Sequence, residues 1–226
     1  MNELLFFLTA ALSFLGVLAA FRFWGKTGIY AWIAFSTVLM NIEVIECVDL
    51  FGLPVTLGNV LYGSTFLCTD ILSENYGGTE SRKGVRIGFF ILLFFLALSQ
   101  LTLHFVPNSE DFASPALHTI FGLVPRMTIA SVTAFLVSNT LDTYLYDWIA
   151  KGTKHIWIRN CGSTMVSQAV DTIIFALIGF TGLFDWPTVV SLTLTTYAIK
   201  FIVLLTDTPF AYLGKAIYKK YRKDIE

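Results

Sequence analysis

The chain has 226 residues, of which 55% are hydrophobic and only 14% are charged, and its mean hydropathy is +0.70. This composition is too apolar for a soluble domain of that length, and it favours a polytopic helical membrane protein in contact with the lipid bilayer. The formal net charge of −1 gives no indication of a nucleic-acid partner. We predict one integral membrane domain that covers residues 1–226.

Apolar runs of about 20 residues, the length that a helix needs to cross a bilayer, recur along the chain. They predict an all-α fold, a bundle of six to seven transmembrane helices. Small residues on the first segment, Gly16 and Ala20, favour close packing of another helix there. The N-terminal MNELLFF lacks the basic region of a cleavable signal, so this segment is predicted to be retained. In chain order the predicted segments are 4–21, 29–50, 54–75, 87–106, 121–146, 162–184 and 188–213.

The distribution of basic residues predicts the orientation. Every Lys and Arg except Arg126 and Lys200 lies in one of four alternate breaks, namely 22–26, 82–86, 151–159 and the tail from 215. Because cytoplasmic loops are enriched in Lys and Arg, the N-terminus is predicted to lie outside and the C-terminus in the cytoplasm.

The cysteines and histidines predict neither a metal site nor a cofactor. Cys47, Cys68 and Cys161 are scattered inside apolar segments, which is typical of small apolar core residues and not of a disulfide framework. None of the three histidines has a partner at the spacing of a metal-binding pair.

Ionisable residues inside the apolar segments are the feature that needs an explanation. An isolated charge at the bilayer centre costs at least about 2.5–3.5 kcal/mol, so such residues are expected to face the bundle interior. Three segments carry a polar pair on one helix face, and Lys200 lies near the predicted midplane. These residues predict a polar pocket inside the bundle. The alternative is that they only form hydrogen bonds that hold neighbouring helices together. The pairs are Asp70 with Glu74, Asn139 with Asp142, and Gln168 with Asp171.

Four stretches resemble the vitamin uptake transporter family, whose studied members carry queuosine precursors. They are TFLCTDILSENYGGTESRK, PRMTIASVTAFLVSNTLDTYLYDW, NCGSTMVSQAVDTIIFALIGFTG and YAIKFIVLLTDTPFAYLG, and the resemblance covers about residues 30–214. It implies a fold similar to the substrate-binding components of energy-coupling-factor transporters. It also implies that the protein imports a queuosine precursor across the bacterial inner membrane for salvage of queuosine in tRNA. The candidate substrates are 7-cyano-7-deazaguanine, 7-aminomethyl-7-deazaguanine and queuine.

The resemblance also implies site residues. One departure is GNVLYGSTFLCTD, where family members often carry an aromatic–proline pair; it adds Asn59, with Tyr62, to the pocket and leaves the exact base open. Glu43 and Glu74 are assigned supporting roles. The substrate-binding residues are then Asn59, Asp70, Arg126, Asn139, Asp142, Gln168, Asp171 and Lys200.

The chemistry of a guanine-like base suits such a set. Its N1–H and exocyclic amine lie side by side and can donate to one carboxylate, while its O6 accepts from an amide or ammonium group. Its flat face stacks on aromatic rings, and the chain has 21 Phe and 9 Tyr.

Three other functions remain open from the sequence. The first is a substrate-binding component that requires a separate energy-coupling module. The second is an intramembrane enzyme that uses Asp70 and Asp142 as a general acid–base pair, although no nucleophile–base spacing supports it. The third is a seven-span receptor or scaffold, against which the short loops and buried acids argue.

Overall fold

The computed structural model describes residues 1–152 and 156–221. Within these ranges, the side chains at positions 139, 142, 143, 146, 147, 150, 151, 156–161, 163, 164, 204, 205, 207 and 208 lie outside the description. The described chain divides into two compact units. Unit 1 contains residues 1–124 with 198–221, and unit 2 is Pro125–Tyr197.

The described part is helical apart from one short β-hairpin, so the all-α class is confirmed. The boundaries between the two units fall inside α4 and α6. The elements are α1 (Asn2–Glu43), β1 (Cys47–Leu50), β2 (Leu53–Thr56), α2 (Asn59–Tyr76), α3 (Gly78–Thr102), α4 (Ser114–Gly152), α5 (Ile156–Phe180) and α6 (Trp186–Tyr221).

Helix α1 is a helical hairpin of two arms. Gly25 interrupts it with φ 59° and ψ −141°, a conformation that glycine adopts without the penalty of a side chain. Beyond the break, Gly28 lies against the backbone carbonyl of Ala20, and the ring of Trp32 lies against Gly16. The arms therefore run antiparallel, and they correspond to the first two predicted segments. The predicted close packing at Gly16 and Ala20 is confirmed, and the helix that packs there is the second arm.

A two-stranded antiparallel hairpin follows α1, and the sequence did not predict it. The strands pair Cys47 with Thr56 and Leu50 with Leu53, and the turn residues Phe51 and Gly52 have φ values of 53° and 77°. Two positive φ values are typical of a type I′ turn, the geometry that matches the twist of paired strands. The predicted helical segments 29–50 and 54–75 were therefore wrong at the ends that meet here. Hydrophobicity alone does not separate a short apolar strand from the end of a helix.

The core of unit 1 lies between the arms of α1, helix α2 and the end of α6. Its fully buried side chains come from each of these elements. Gly63 and Gly214 allow α2 and α6 to approach closely, because a Cβ on Gly63 would overlap Val203 and one on Gly214 would approach Ile71 at 2.8 Å. The buried cluster consists of Phe14, Val17, Leu18, Phe21, Ile29, Ile33, Leu67, Cys68, Ile71, Leu72 and Val203.

One end of unit 1 brings together three of the predicted basic breaks. Gly77, with φ 87°, joins α2 directly to α3 there. The guanidinium of Arg22 lies 3.5 Å from the centre of the Tyr221 ring, and Lys215 forms a 2.9 Å ion pair with Glu74. Tyr30 donates a hydrogen bond to Glu80 at the same end. Lys83 lies over the Tyr30 ring, so basic residues of the 22–26 and 82–86 breaks and of the tail share one side of the unit.

Unit 2 contains parts of α4 and α6 with α5 between them in sequence. Arg126 of α4 contacts the C-terminal end of α5, and Ser138 contacts Asp171 earlier in α5, so these two helices run antiparallel. Helix α6 follows α5 after a short turn, and Tyr197 donates to the Met165 carbonyl at 3.1 Å. These three contacts fix the levels of the helices within the unit.

Four helical stretches among the described residues are long and apolar enough to cross a membrane. They are Asn2–Glu43, Gly78–Thr102, Ser114–Ser138 and Trp186–Val203, and Met165–Phe180 is a shorter apolar stretch. Because Asn2–Glu43 contains two arms, this count understates the number of apolar segments in the bundle.

Candidate functional site

Asp171 is a buried acid of unit 2. Its side chain is 6% exposed on α5, and its Oδ1 accepts a 3.2 Å hydrogen bond from the Ser138 hydroxyl of α4. Burial removes water as a competing partner, so hydrogen bonds to this carboxylate are stronger here than at a surface.

Buried polar atoms without a hydrogen-bond partner mark the same unit. Among the described side chains, three buried oxygens lack a partner, namely Thr128 Oγ1, Gln168 Oε1 and Thr196 Oγ1, and all three belong to unit 2. Each leaves a desolvation cost of about 1–3 kcal/mol uncompensated, which is unusual in a folded protein. A bound water, an ion or a polar ligand would each give such groups a partner.

Two of these atoms lie on α5 and α6. Gln168 precedes Asp171 by three residues on α5, so the two side chains share a face about 4.5 Å apart along the axis. Tyr197, the residue after Thr196 on α6, donates its hydroxyl to the Met165 carbonyl of α5, three residues before Gln168. A carboxylate, an amide oxygen and a hydroxyl thus occur on neighbouring stretches of α5 and α6.

Arg126 occupies a different place in unit 2. Its Nε donates to the Ile178 carbonyl at 2.7 Å, and its Nη2 donates to the Thr181 carbonyl. These carbonyls belong to the C-terminal end of α5, where a cation is favoured by the helix dipole. The predicted binding residue Arg126 therefore has a capping role in this structure, twelve residues before Ser138 in α4.

Asn139 and Asp142 were predicted as a third polar pair. Both positions lie in helix α4, and Asn139 directly follows Ser138. Their side chains lie outside the described residues. Their predicted binding roles stay predictions.

In unit 1 the predicted residues Asp70 and Lys200 accompany two aromatic rings. Tyr62, Phe66 and Asp70 are spaced by four residues and so share one face of α2. The rings of Tyr62 and Phe66 meet edge to face at 4.7 Å, and the Lys200 Nζ of α6 lies 4.4 Å from the centre of the Tyr62 ring. The carboxylate of Asp70 is exposed on this face.

The remaining predicted residues of unit 1 have local partners or lie at its ends. Asn59 is 7% exposed, and its amide donates to the Thr56 carbonyl at 2.9 Å, where it joins β2 to the start of α2. Glu74 forms the ion pair with Lys215 described above. Glu43 is half-buried at the end of the second α1 arm. These contacts tie Asn59 and Glu74 to neighbouring residues of unit 1.

Sequence reasoning missed Ser138 and Thr196. Serine and threonine are frequent in membrane helices, where their hydroxyls commonly bond to the backbone one turn earlier. Nothing in the letters TLTTYAIK separates Thr196, whose hydroxyl lacks a partner, from Thr195, whose hydroxyl bonds to Ser191 and Leu192. Tertiary contacts alone make that distinction.

Long apolar helices with a buried carboxylate and unpartnered polar atoms define a multi-pass membrane protein with a polar interior. Comparison with known proteins gives the class a name. Residues 56–214 match the family described as "putative vitamin uptake transporter". The chain is 44% identical over 209 residues to the "probable queuosine precursor transporter" of Bacillus subtilis (strain 168), and the match covers 91% of each chain. No solved structure shows a significant match.

The chain belongs to the vitamin uptake transporter family. This confirms the resemblance, whose most specific parts are TD-x₃-E-x-YG at 69–77, N-x-LD at 139–142 and SQ-x₂-DT at 167–172, all inside the matched region. Membership also favours a transporter over the enzyme, receptor and scaffold alternatives.

Proposed function

We propose that the protein imports queuosine precursors, the 7-deazaguanine bases, for use in tRNA modification. The 44% identity to a protein named as a queuosine precursor transporter is the observation that carries this proposal. The buried polar side chains of unit 2 support it. A small base with several hydrogen-bonding groups could bind to the Asp171 carboxylate and to the oxygens that lack a partner among the described residues. No catalytic step is part of this function.

Recognition centres on Asp171 in this proposal. The N1–H and the exocyclic amine of the base donate to the carboxylate, while Ser138 holds it from α4. Charge-assisted bonds are worth roughly 1.5–3 kcal/mol each, so two of them with ring stacking reach the micromolar range. Asp70, Asn139, Asp142, Gln168 and Lys200 remain candidate contacts along the path of the substrate.

An uptake assay tests this function directly. Radiolabelled 7-aminomethyl-7-deazaguanine is supplied to bacteria that lack other transporters for the base and cannot synthesise it. We expect intracellular label and queuosine in tRNA only when the chain is expressed. Adenine, which presents a different hydrogen-bonding edge, should not compete. Absence of label at every substrate concentration would reject the proposal.

In the proposed orientation the N-terminus lies outside and the basic end of unit 1 lies in the cytoplasm of the inner membrane. The contact of Asn2 with the Asp49 carbonyl places the β-hairpin on the N-terminal side. In a variant whose native cysteines are replaced by serine, Ser109→Cys should react with a membrane-impermeant maleimide in intact cells. Thr79→Cys should react only after permeabilisation, and the reverse pattern would invert the orientation.

We also propose that transport needs no separate energy-coupling module. Small residues on an outer helix face are one way to dock such a module, but Gly16 and Ala20 are covered by Trp32 and Gly28 of the same chain. Uptake in a host without any energy-coupling-factor transporter is expected. Uptake that appears only after such a module is added would reassign the chain as a substrate-binding component.

A further inference from the structure

We infer that Thr196 is a specificity-determining residue whose hydroxyl donates to the O6 carbonyl of the base. The inference rests on the proposed function, and it assigns a role to a residue that neither the sequence motifs nor the family match singles out. The Thr196 side chain is 7% exposed, and its Oγ1 lacks a hydrogen-bond partner among the described residues.

The neighbouring threonines show that this state is not a property of the helix. Thr195 is equally buried, and its hydroxyl donates to the Ser191 carbonyl at 2.8 Å and to the Leu192 carbonyl at 3.2 Å. Thr193 likewise donates to the Val189 carbonyl at 2.7 Å. A buried threonine in a helix normally satisfies its hydroxyl in this way. Thr196 does not, and its hydroxyl stays available to a ligand.

The position of Thr196 agrees with such a role. The next residue along α6, Tyr197, donates its hydroxyl to the Met165 carbonyl of α5, three residues before Gln168. Gln168 in turn shares a face of α5 with Asp171. On this part of α6, Leu192, Thr195 and Thr196 are buried, while Leu194 is 66% exposed.

Chemical complementarity selects the atom of the base that Thr196 meets. Asp171 and the Gln168 Oε1 are acceptors, so they match the N–H groups of a guanine-like edge. The O6 of that edge is an acceptor and needs a donor. The Thr196 hydroxyl supplies one, because the N–H groups of the base already have the two acceptors as partners.

The experiment compares Thr196→Val with Thr195→Val, a matched control at the adjacent position. Both changes remove one hydroxyl and keep the branched shape. We expect Thr196→Val to raise the KM for 7-deazaguanine uptake about tenfold, the loss of one hydrogen bond to the ligand, and Thr195→Val to change it less than about twofold. Thr196→Ser, which keeps the hydroxyl, should restore most of the affinity.

Selectivity identifies the bonded atom. In 6-thio-7-deazaguanine, a sulfur that accepts hydrogen bonds poorly replaces O6, while N1–H and the amine remain. The wild-type protein and Thr195→Val should prefer the oxo base over the thio base by about tenfold, and Thr196→Val should prefer it by less than about threefold. A Thr196→Val variant that keeps the wild-type preference overturns the inference.

Thermal unfolding in detergent gives a reading that does not depend on transport. Replacing an unpartnered buried hydroxyl by a methyl group is neutral or stabilising, so ligand-free Thr196→Val should melt at or above the wild-type temperature. Its stabilisation by 7-deazaguanine should be smaller than that of the wild type. If the base is neither transported by the wild-type protein nor raises its melting temperature, the proposed function is wrong. If the wild type responds to the base and Thr196→Val responds equally, only the role of Thr196 is wrong. If Thr196→Val is not produced, Thr196→Ala carries the same expectations.

Discussion

The two units differ in how their buried polar groups are satisfied. Among the described residues of unit 1, no fully buried side-chain nitrogen or oxygen lacks a hydrogen-bond partner; examples are the Trp32 indole with Ser64 at 3.1 Å and Asn41 with the Thr37 carbonyl at 2.8 Å. In unit 2 three buried oxygens lack partners among the described residues. The proposed function interprets this difference as packing in unit 1 and ligand binding in unit 2.

The largest effect that this comparison predicts is at Asp171. Asp171→Asn keeps the volume but replaces an acceptor oxygen with a donor amide, which opposes the N–H groups of the base. We expect a loss of roughly 2–4 kcal/mol of binding, about thirty- to a thousand-fold in the KM for uptake, with normal insertion in the membrane. Uptake of labelled base at low concentration and immunodetection of the protein measure the two quantities.

The control for Asp171 is Asp185→Asn, which changes an exposed acid in the turn before α6 and should transport normally. Ser138→Ala should give a smaller loss than Asp171→Asn, because it removes only the group that positions the carboxylate. Normal uptake by Asp171→Asn at low substrate concentration would mean that this acid only joins α4 to α5.

The scaffold role of unit 1 is tested at Gly28. A methyl group there would overlap the backbone carbonyl of Ala20, which cannot turn away as a side chain can. Gly28→Ala should therefore lower the free energy of unfolding by about 1–3 kcal/mol, measured by denaturant titration in detergent. The KM of the protein that remains folded should not change.

Gly122→Ala provides the matched comparison, since a Cβ at this helical position meets open space. Replacing an unpacked helical glycine by alanine should raise the free energy of unfolding by about 0.5–1 kcal/mol. Equal stability of the two alanine variants would contradict the close packing of the α1 arms.

Arg126 sharpens the comparison, because it is a scaffold residue inside unit 2. Arg126→Gln removes the donors to the Ile178 and Thr181 carbonyls, and we expect the free energy of unfolding to fall by about 1–2 kcal/mol. Arg126→Lys keeps the charge but not the planar fork and should lie between. A large rise in KM without loss of stability would instead support the binding role that the family resemblance implies.

The smallest expected effect concerns Lys200 and Tyr62 in unit 1. The ammonium lies 4.4 Å from the ring centre, so a double-mutant cycle of Lys200→Gln and Tyr62→Leu should give a coupling of about 0.5–1 kcal/mol in unfolding. Tyr62→Phe keeps the ring and should keep most of the coupling. If Lys200 also contacts substrate, Lys200→Gln should raise the KM while Tyr62→Leu leaves it nearly unchanged.

The sequence by itself determined the membrane character, the helical class and the family. Long apolar runs report directly on solubility in lipid, because a backbone in hydrocarbon must satisfy its own hydrogen bonds in helices. The motifs around Asp70, Asp142 and Asp171 were sufficient for the family, which the comparisons confirmed. The small residues Gly16 and Ala20 correctly indicated a close helix contact.

Only the tertiary structure separated binding candidates from scaffold residues. Three polar residues in apolar segments illustrate this: Asp171, Arg126 and Asn59. The sequence does not show whether each side chain can reach a backbone carbonyl or a neighbouring side chain. A contact between helices joins Arg126 to the end of α5, a contact across the start of α2 joins Asn59 to Thr56, and the Thr196 hydroxyl has no partner among the described residues. Hydrogen-bond satisfaction depends on which groups meet across helices, and the pattern along one helix does not record it.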